Sequence, residues 1–283
     1  MQVQALAKLN LTLDVLRRRE DGYHDMCMVM QSITLADTLT IKPGSGEGIR
    51  VGTNLEFLPN DDTNLAAKAA RAFWDARGEE HQAIEINIDK HIPVCAGMAG
   101  GSSDAAAVLR GLNQQAGNPY TLMELAQVGE AVGSDVPYCV LGGTALAEGR
   151  GEILTPLAPL PKCHVVVCKP AFPISTPALF RQIDQVEIVH HPDTAGMIAA
   201  LEAGDLKGVA HRLYNVFEDA LNDQQRASVN AIKSSMIDHG ALGSAMSGSG
   251  PTVFGLFDDE NKAKAAYEAL AKEYQETYLA QSV

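Results

Sequence analysis

The chain opens on an alternation. Leu9, Leu11, Leu13 and Val15 stand on one side of residues 2–16, with Lys8, Asn10, Thr12 and Asp14 on the other. A period of two predicts a strand with one face buried and one face wet. Ser32–Ile41 and Gly48–Val51 predict two more strands, parted by the turn residues Pro43-Gly44-Ser45-Gly46. From Asn64 to Arg77 the period becomes helical, with Leu65, Ala69, Ala72, Phe73 and Ala76 apolar and Asp62 or Thr63 at the start. Ile84, Ile86 and Ile88 then mark a strand over 84–89. Ala105, Val108, Leu109, Leu112 and Ala116 share one face of a helix capped by Ser102 or Ser103 and ended by Gly117 and Pro119. Thr121–Val132 predicts another helix, because Glu124 three residues after Thr121 makes a capping box.

The second half mixes the two periods. Cys139–Leu141 and Thr144–Ala147 flank Gly142-Gly143 and predict a hairpin. Pro156, Pro159 and Pro161 crowd Thr155–Lys162, which places a domain connection there and divides the chain into 1–155 and 156–283. Beyond it, His164–Cys168 predicts a buried strand, and helices are predicted at Thr176–Ile183, Asp193–Ala203, Leu206–Phe217, Gln224–His239 and Glu260–Lys272. Ala241–Met246 and Thr252–Phe257 predict strands around the turn Ser247-Gly248-Ser249-Gly250-Pro251, and a last strand closes the chain. Without strict strand–helix alternation, the fold class is α+β.

Composition narrows the functional classes. Lys and Arg number 22 against 35 Asp and Glu, a net charge of −13. That excess of acid argues against a general nucleic-acid or membrane-surface binder, while leaving room for a local cationic pocket. Five scattered cysteines without a C-x-x-C pair point to a reducing cytoplasm. Lys8 and Asn10 interrupt the N-terminal apolar run, so it reads as neither signal peptide nor membrane span.

The chemistry gathers at Pro93-Val94-Cys95-Ala96-Gly97-Met98-Ala99-Gly100-Gly101-Ser102-Ser103. A strand, a glycine-rich loop and a helix start in succession aim backbone N–H groups and the positive end of a helix dipole at one point, which suits a phosphate. Glycines at 97, 100 and 101 permit positive φ and close backbone approach. A tight turn needing glycine only for packing would give the same pattern. No Gly-Lys-Ser/Thr ends the loop, so positive charge must come from elsewhere.

Three stretches in order, A-K-L-N at 7–10, G-G-S-S-D-A-A at 100–106 and M-S-G-S-G-P-T at 246–252, resemble the motifs of the GHMP kinases. The resemblance covers residues 5 to about 257 and implies a two-domain fold, an N-terminal nucleotide-binding domain and a C-terminal ferredoxin-like domain, with the active site in the cleft between them. Cys95-Ala96 departs from relatives that carry two more glycines there and stiffens the loop. D-G-Y-H at 21–24, G-S-D-V-P at 133–137 and G-R-G-E at 149–152 are similar to the branch acting on the 2-hydroxyl of a cytidine diphosphate methylerythritol, in the non-mevalonate route to isoprenoids. Homoserine or mevalonate as acceptor is the alternative.

The resemblance also implies roles. ATP and Mg²⁺ are the expected cofactors. Asp135 matches the proton acceptor for the substrate hydroxyl, and Lys8 the cation beside the transferred phosphoryl. Residues 93–103 would hold the ATP phosphates, with Ser102 and Ser103 as donors or Mg²⁺ ligands; Asn64, Leu65 and Lys90 would lie near the adenine. Asp104 is either a Mg²⁺ partner or a solvated carboxylate at the helix start. Tyr23, His24 and Phe180 match positions that hold the cytosine, with the base between the two aromatic rings, and Asn10 a polar contact near the alcohol. His190-His191 receives no metal role.

Overall fold

The computed structural model describes every residue except Glu47. Its elements in chain order are strands β1 (Gln2–Arg18), β2 (His24–Pro43) and β3 (Ile49–Thr53), helix α1 (Leu65–Arg77), β4 (Ile84–Asp89), α2 (Gly100–Gln115), α3 (Leu122–Glu130), α4 (Val136–Leu141), β5 (Thr144–Gly149), β6 (Ile153–Pro156) and β7 (His164–Lys169). There follow α5 (Thr176–Ile183), α6 (Thr194–Glu202), α7 (Leu206–His211), β8 (Tyr214–Asn215), a 3₁₀ turn at Val216–Ala220, α8 (Asp223–Asp238), β9 (Gly243–Met246), β10 (Val253–Phe257), α9 (Glu260–Leu270) and β11 (Glu276–Gln281).

Two compact units emerge, and neither is one stretch of chain. The first comprises Met1–Ala7, Ala36–Ile92 and Ala99–Gly142; the second comprises Lys8–Leu35, Pro93–Met98 and Gly143–Val283. In the first, β4 is antiparallel to the distal half of β2, Thr38 facing Asp89, and β3 runs parallel to β4. Helix α1 packs on α2, and α2 and α3 on α4. Ala66, Ala69, Ala70, Phe73 and Trp74 of α1 are buried, as are Ala105, Val108, Leu109 and Leu112 of α2. The face of α2 is the predicted one apart from the exposed Ala116, whereas in α1 only Ala69 and Phe73 of the predicted face are buried: Leu65, Ala72 and Ala76 lie outside the core, and Ala66, Ala70 and Trp74 fill it instead.

In the second unit β5 pairs antiparallel with both β2 and β6, and β8 runs parallel to β1. A separate antiparallel sheet has the order β11-β7-β10-β9. Helix α8 packs on β9 and β10, α9 on β7 and β11, and the helices touch each other. One face of that sheet is thus covered by helices, the ferredoxin-like arrangement. The last predicted strand is β11.

Four expectations change. Residues 136–141 are helical rather than the first arm of a hairpin: Pro137 stands in the first turn of α4, where a missing N–H costs nothing. The helix expected over 206–217 stops at His211, because Asn215 turns aside to donate to the carbonyls of Met246 and Gly248, both at 2.8 Å. Helix α1 is capped by Asn64 rather than by Asp62 or Thr63. Strand β1 has no wet face over residues 8–14: Lys8 is 4 % exposed, Asn10 and Thr12 0 % and Asp14 5 %.

Candidate active site

Buried polar groups need partners, and the polar side of β1 finds them inside the second unit. Lys8 donates from Nζ to Oδ1 of Asn10 at 2.7 Å, and the Thr12 hydroxyl accepts the N–H of Val29 at 3.1 Å. The strand's backbone meets both glycine-rich stretches. Lys8 N–H donates to the Met98 carbonyl at 3.2 Å, and Asn10 N–H to Oγ of Ser247 at 3.3 Å. That hydroxyl donates in turn to the Gly97 carbonyl at 3.0 Å. The first motif, the start of the loop and the second glycine turn therefore converge within one unit.

Contact between the two turns explains their glycines. Gly97 has φ +70°, and a Cβ there would fall 2.1 Å from the Ser247 carbonyl oxygen; a Cβ on Gly248 would fall 2.7 Å from the Gly97 oxygen. Gly100 and Gly101 do not take the positive φ expected of them. They serve close approach instead: a Cβ on Gly100 would lie 3.2 Å from Ile92 Cγ2, and one on Gly101 3.3 Å from Leu65 Cδ1. The other left-handed residues of the loop are Cys95 (φ 53°) and Ala99 (φ 56°). Each costs about 1–2 kcal/mol for an L-residue.

Ala99, not Ser102 or Ser103, is the N-cap of α2, and its side chain makes no capping bond. The first N–H groups of this 16-residue helix therefore have no partner within it. Ser103 closes the first turn through its own N–H and is buried, its hydroxyl donating to the Leu6 carbonyl at 2.7 Å. Its one O–H is therefore not left to donate to a phosphate. Ser102, half-exposed, is the serine left on the first turn.

Three other expected contacts are occupied by protein groups. Asn64 spends its side chain on α1, accepting from Ala66 N–H at 2.9 Å and donating to the Pro59 carbonyl at 2.8 Å. Lys90 is buried with its ammonium against Asp37 and, at 2.6 Å, Oδ2 of Asp104. Its charge is thus neutralised within the protein. Asp104 is accordingly not solvated: burial pushes its carboxyl up to about 8, against the pull of Lys90 and with a further push from Asp37. Asp135 is different. It occupies the N-cap of α4, half-exposed, without a side-chain capping bond, so its carboxylate is not spent on the helix.

The residues expected around a base gather in the second unit. His24 is buried and stacks on Phe180, with centroids 4.8 Å apart and planes at 22°. Its Nε2 lies 2.7 Å from Oδ1 of Asp184. An ionised carboxylate only accepts, so Nε2–H donates and Nδ1 is the nitrogen left for a ligand. Phe180 also meets Phe217 edge-on at 5.0 Å. The simple sandwich of a base between Tyr23 and Phe180 is therefore altered, since His24 covers a face of Phe180. Tyr23 is 57 % exposed, with the Arg150 guanidinium over its ring at 5.2 Å.

Sequence reasoning missed Asp184, Arg150, Asn215 and Asp37. Asp184 had a signal, standing one helical turn after Phe180 and so on the same face. Arg150 lay inside the G-R-G-E stretch, but nothing in that motif indicates a ring to stack on. Asn215 and Asp37 carry no local signature.

The lysine-bearing strand, the start of the glycine loop and the second glycine turn, brought together within one unit, fit a class of small-molecule phosphotransferase. Residues 64–143 match the GHMP kinases N terminal domain and residues 197–276 the GHMP kinases C terminal. The chain is 43 % identical over 282 residues to 4-diphosphocytidyl-2-C-methyl-D-erythritol kinase of Alkaliphilus metalliredigens, covering 100 % of this chain and 96 % of that one. It is 45 % identical to the protein of the same name from Geobacillus thermodenitrificans, over 95 % and 92 % of the two chains. A crystal structure of 4-(cytidine 5'-diphospho)-2C-methyl-D-erythritol kinase superposes with TM-score 0.82 at 31 % identity, covering 100 % of this chain and 99 % of that one. Homoserine kinase from Cytophaga hutchinsonii, at TM-score 0.71 and 18 % identity, shares the fold, with 100 % and 94 % of the chains covered. The chain belongs to the GHMP kinases, and it is an ATP-using small-molecule kinase.

Proposed function

We propose that this kinase transfers the γ-phosphoryl group of ATP to the 2-hydroxyl of 4-diphosphocytidyl-2-C-methyl-D-erythritol, as a cytoplasmic enzyme of the non-mevalonate route to isoprenoids. The observation that carries the choice of acceptor is the His24–Phe180–Asp184 group. A stacked imidazole held by a carboxylate, with an exposed tyrosine next to it in sequence, suits a flat base with a polar edge. Homoserine and mevalonate have no base to place on it. Full-length identity with relatives of that name supports the same reading.

In this reading Asp135 receives or orients the acceptor hydroxyl's proton, and Lys8 offsets charge on the phosphoryl group in flight. Asn10 holds the Lys8 ammonium at 2.7 Å and fixes where that charge sits. Phosphates bind along residues 93–103, chiefly through backbone N–H groups, since Ser103 and Lys90 are engaged elsewhere. Nδ1 of His24 reads the edge of the cytosine, and Tyr23 covers a face of it. Mg²⁺ bound with ATP would offset the charge of its phosphates. The Ser103 hydroxyl and Oδ2 of Asp104 are engaged within the protein, so Ser102 is the side chain on the first turn of α2 that would face the ion beside the phosphates.

The test is ADP release measured against three acceptors in parallel. Turnover with the cytidine diphosphate alcohol and none with homoserine or mevalonate is expected. Turnover with either small alcohol, and none with the nucleotide alcohol, would overturn the choice of acceptor and leave the kinase.

A further inference from the structure

Below the first turn of α2 lies a buried ionic cluster for which the phosphoryl transfer has no use. Asp37 is 0 % exposed, Asp104 4 % and Lys90 8 %. Lys90 Nζ bridges Oδ2 of Asp37 and Oδ2 of Asp104. The other oxygen of Asp37 accepts the backbone N–H groups of His91 at 2.5 Å and Ile92 at 2.8 Å. Asn54 clamps the backbone of Lys90 from both sides, accepting its N–H at 2.8 Å and donating to its carbonyl at 3.2 Å. A Cβ on Gly100 would stand 3.4 Å from the Lys90 ammonium, so the helix start rests directly on this cluster. Oδ1 of Asp104 has no hydrogen-bond partner among the described residues.

Residues 90–92 lead into the glycine loop and residues 100–104 lead out of it. One cluster fixes both. Burying three ionisable groups is a poor way to gain stability, because desolvation roughly offsets the attraction between them. What such a group supplies is direction: each bond sets an angle as well as a distance. An apolar filling would support the helix without fixing where the chain enters and leaves the loop.

We propose that Lys90, Asp37 and Asp104 form a clip that holds the two ends of the phosphate loop in register, with Asp104 a positioning residue for nucleotide binding. The proposal rests on the reading that the loop holds ATP. Asp104 acts through Lys90 and touches no substrate, so its loss changes how well the nucleotide is held more than how fast it reacts once held.

Cys95, an exposed free thiol in the loop, gives a direct readout. Its alkylation by iodoacetamide is followed by mass spectrometry as ATP is raised, next to steady-state kinetics. For Asp104→Ala, half-protection and the KM for ATP should both rise about tenfold, with kcat and the KM of the alcohol within about threefold of the parent. Asp104→Asn keeps the shape and one donor–acceptor pair, and should recover most of that loss. Asn54→Ala leaves every charge in place and loosens only the backbone of Lys90, so it should shift half-protection in the same direction even if Asp104→Ala does not fold. Parent-like protection in both folded variants, or in Asn54→Ala alone should Asp104→Ala not fold, overturns the clip. Absence of ATP protection in the parent protein overturns the loop reading itself, and the clip with it.

Discussion

The sharpest consequence of the two touching glycine turns concerns Gly97. In Gly97→Ala the new methyl carbon would be placed 2.1 Å from the Ser247 carbonyl oxygen and 3.0 Å from Gly250 N, both backbone atoms that no side-chain rotation can move aside. The turns must separate. Separation breaks the Ser247–Gly97 hydrogen bond of 3.0 Å and strains the Asn10–Ser247 bond of 3.3 Å. At about 0.5–1.5 kcal/mol for each bond, with about 1–2 kcal/mol for a left-handed alanine, the cost is about 2–5 kcal/mol. Gly204→Ala is the internal comparison: Gly204 has φ +65°, and nothing lies within 4 Å of a Cβ there. It should cost only the conformational part, about 1–2 kcal/mol. Urea unfolding followed by fluorescence and circular dichroism gives both values under one extrapolation. Gly97→Ala should also lower activity in the folded protein, while Gly204→Ala should not. Equal losses of stability, with activity retained in both, would refute the claim that the two turns are pressed together.

Other consequences are testable more briefly. Asp135→Asn should lower kcat by about a hundred- to ten-thousand-fold with the KM for ATP little changed, and turnover within a few-fold of the parent would remove Asp135 from the reaction. Asp184→Asn removes a charged acceptor at 2.7 Å from His24. Losing about 1.5–3 kcal/mol there should raise the KM of the cytidine diphosphate alcohol about ten- to a hundredfold and spare that of ATP, which competing titrations would show. Asp104, held up at about 8 in the folded protein and near the ordinary carboxylate value when unfolded, binds more protons folded than unfolded between those limits. Parent stability relative to Asp104→Asn should therefore fall as pH rises from 5 to 8, by at most about 1.4 kcal/mol per pH unit; parallel pH curves for the two proteins would contradict this. Burial raises the thiols of Cys163 and Cys168 to about 11, so iodoacetamide at neutral pH should modify Cys95 while leaving both unmodified in a peptide map.

What the sequence made legible follows the kind of signal each feature carries. The capping box at Thr121 and Glu124 is local, and it stands as expected. Strand β4 shows its own period and its buried residues repeat it, while α1 forms where expected with its buried face turned toward Ala66, Ala70 and Trp74. The start of α2 was misplaced by a few residues because its cap is a left-handed Ala99, a conformation that alanine does not advertise. Helix α4 was hidden because Val-Pro followed by a Gly-Gly pair fits a turn and a hairpin as well as it fits a helix opened by proline. The break after His211 is a tertiary event. Asn215 leaves the helical path to satisfy two carbonyls more than 30 residues away, and no local window contains them.

The candidate site shows the same division more sharply. In isolation the polar side of β1 reads as a wet face, since alternation distinguishes two sides of a strand but not water from a buried polar layer. Lys8 and Asn10 differ from solvated residues only in having partners, and those partners lie on chain segments far away: Met98 for the Lys8 backbone, Ser247 for that of Asn10. Only the joint occurrence of three motifs in order carried that information forward. Asp37 had no such help. It sits in the alternation Leu35-Ala36-Asp37-Thr38-Leu39 as one polar residue among several, yet it accepts two backbone N–H groups and the Lys90 ammonium. A carboxylate that saturates its oxygens with backbone and lysine is invisible to motif reasoning because its work is geometric rather than chemical. Asp135, proposed above to handle the hydroxyl proton, is the converse: it stands in a short motif, and its carboxylate is not spent on capping α4. Groups proposed for the chemistry sit in recognisable strings; groups proposed to hold them in place are buried, and only the fold reveals their partners.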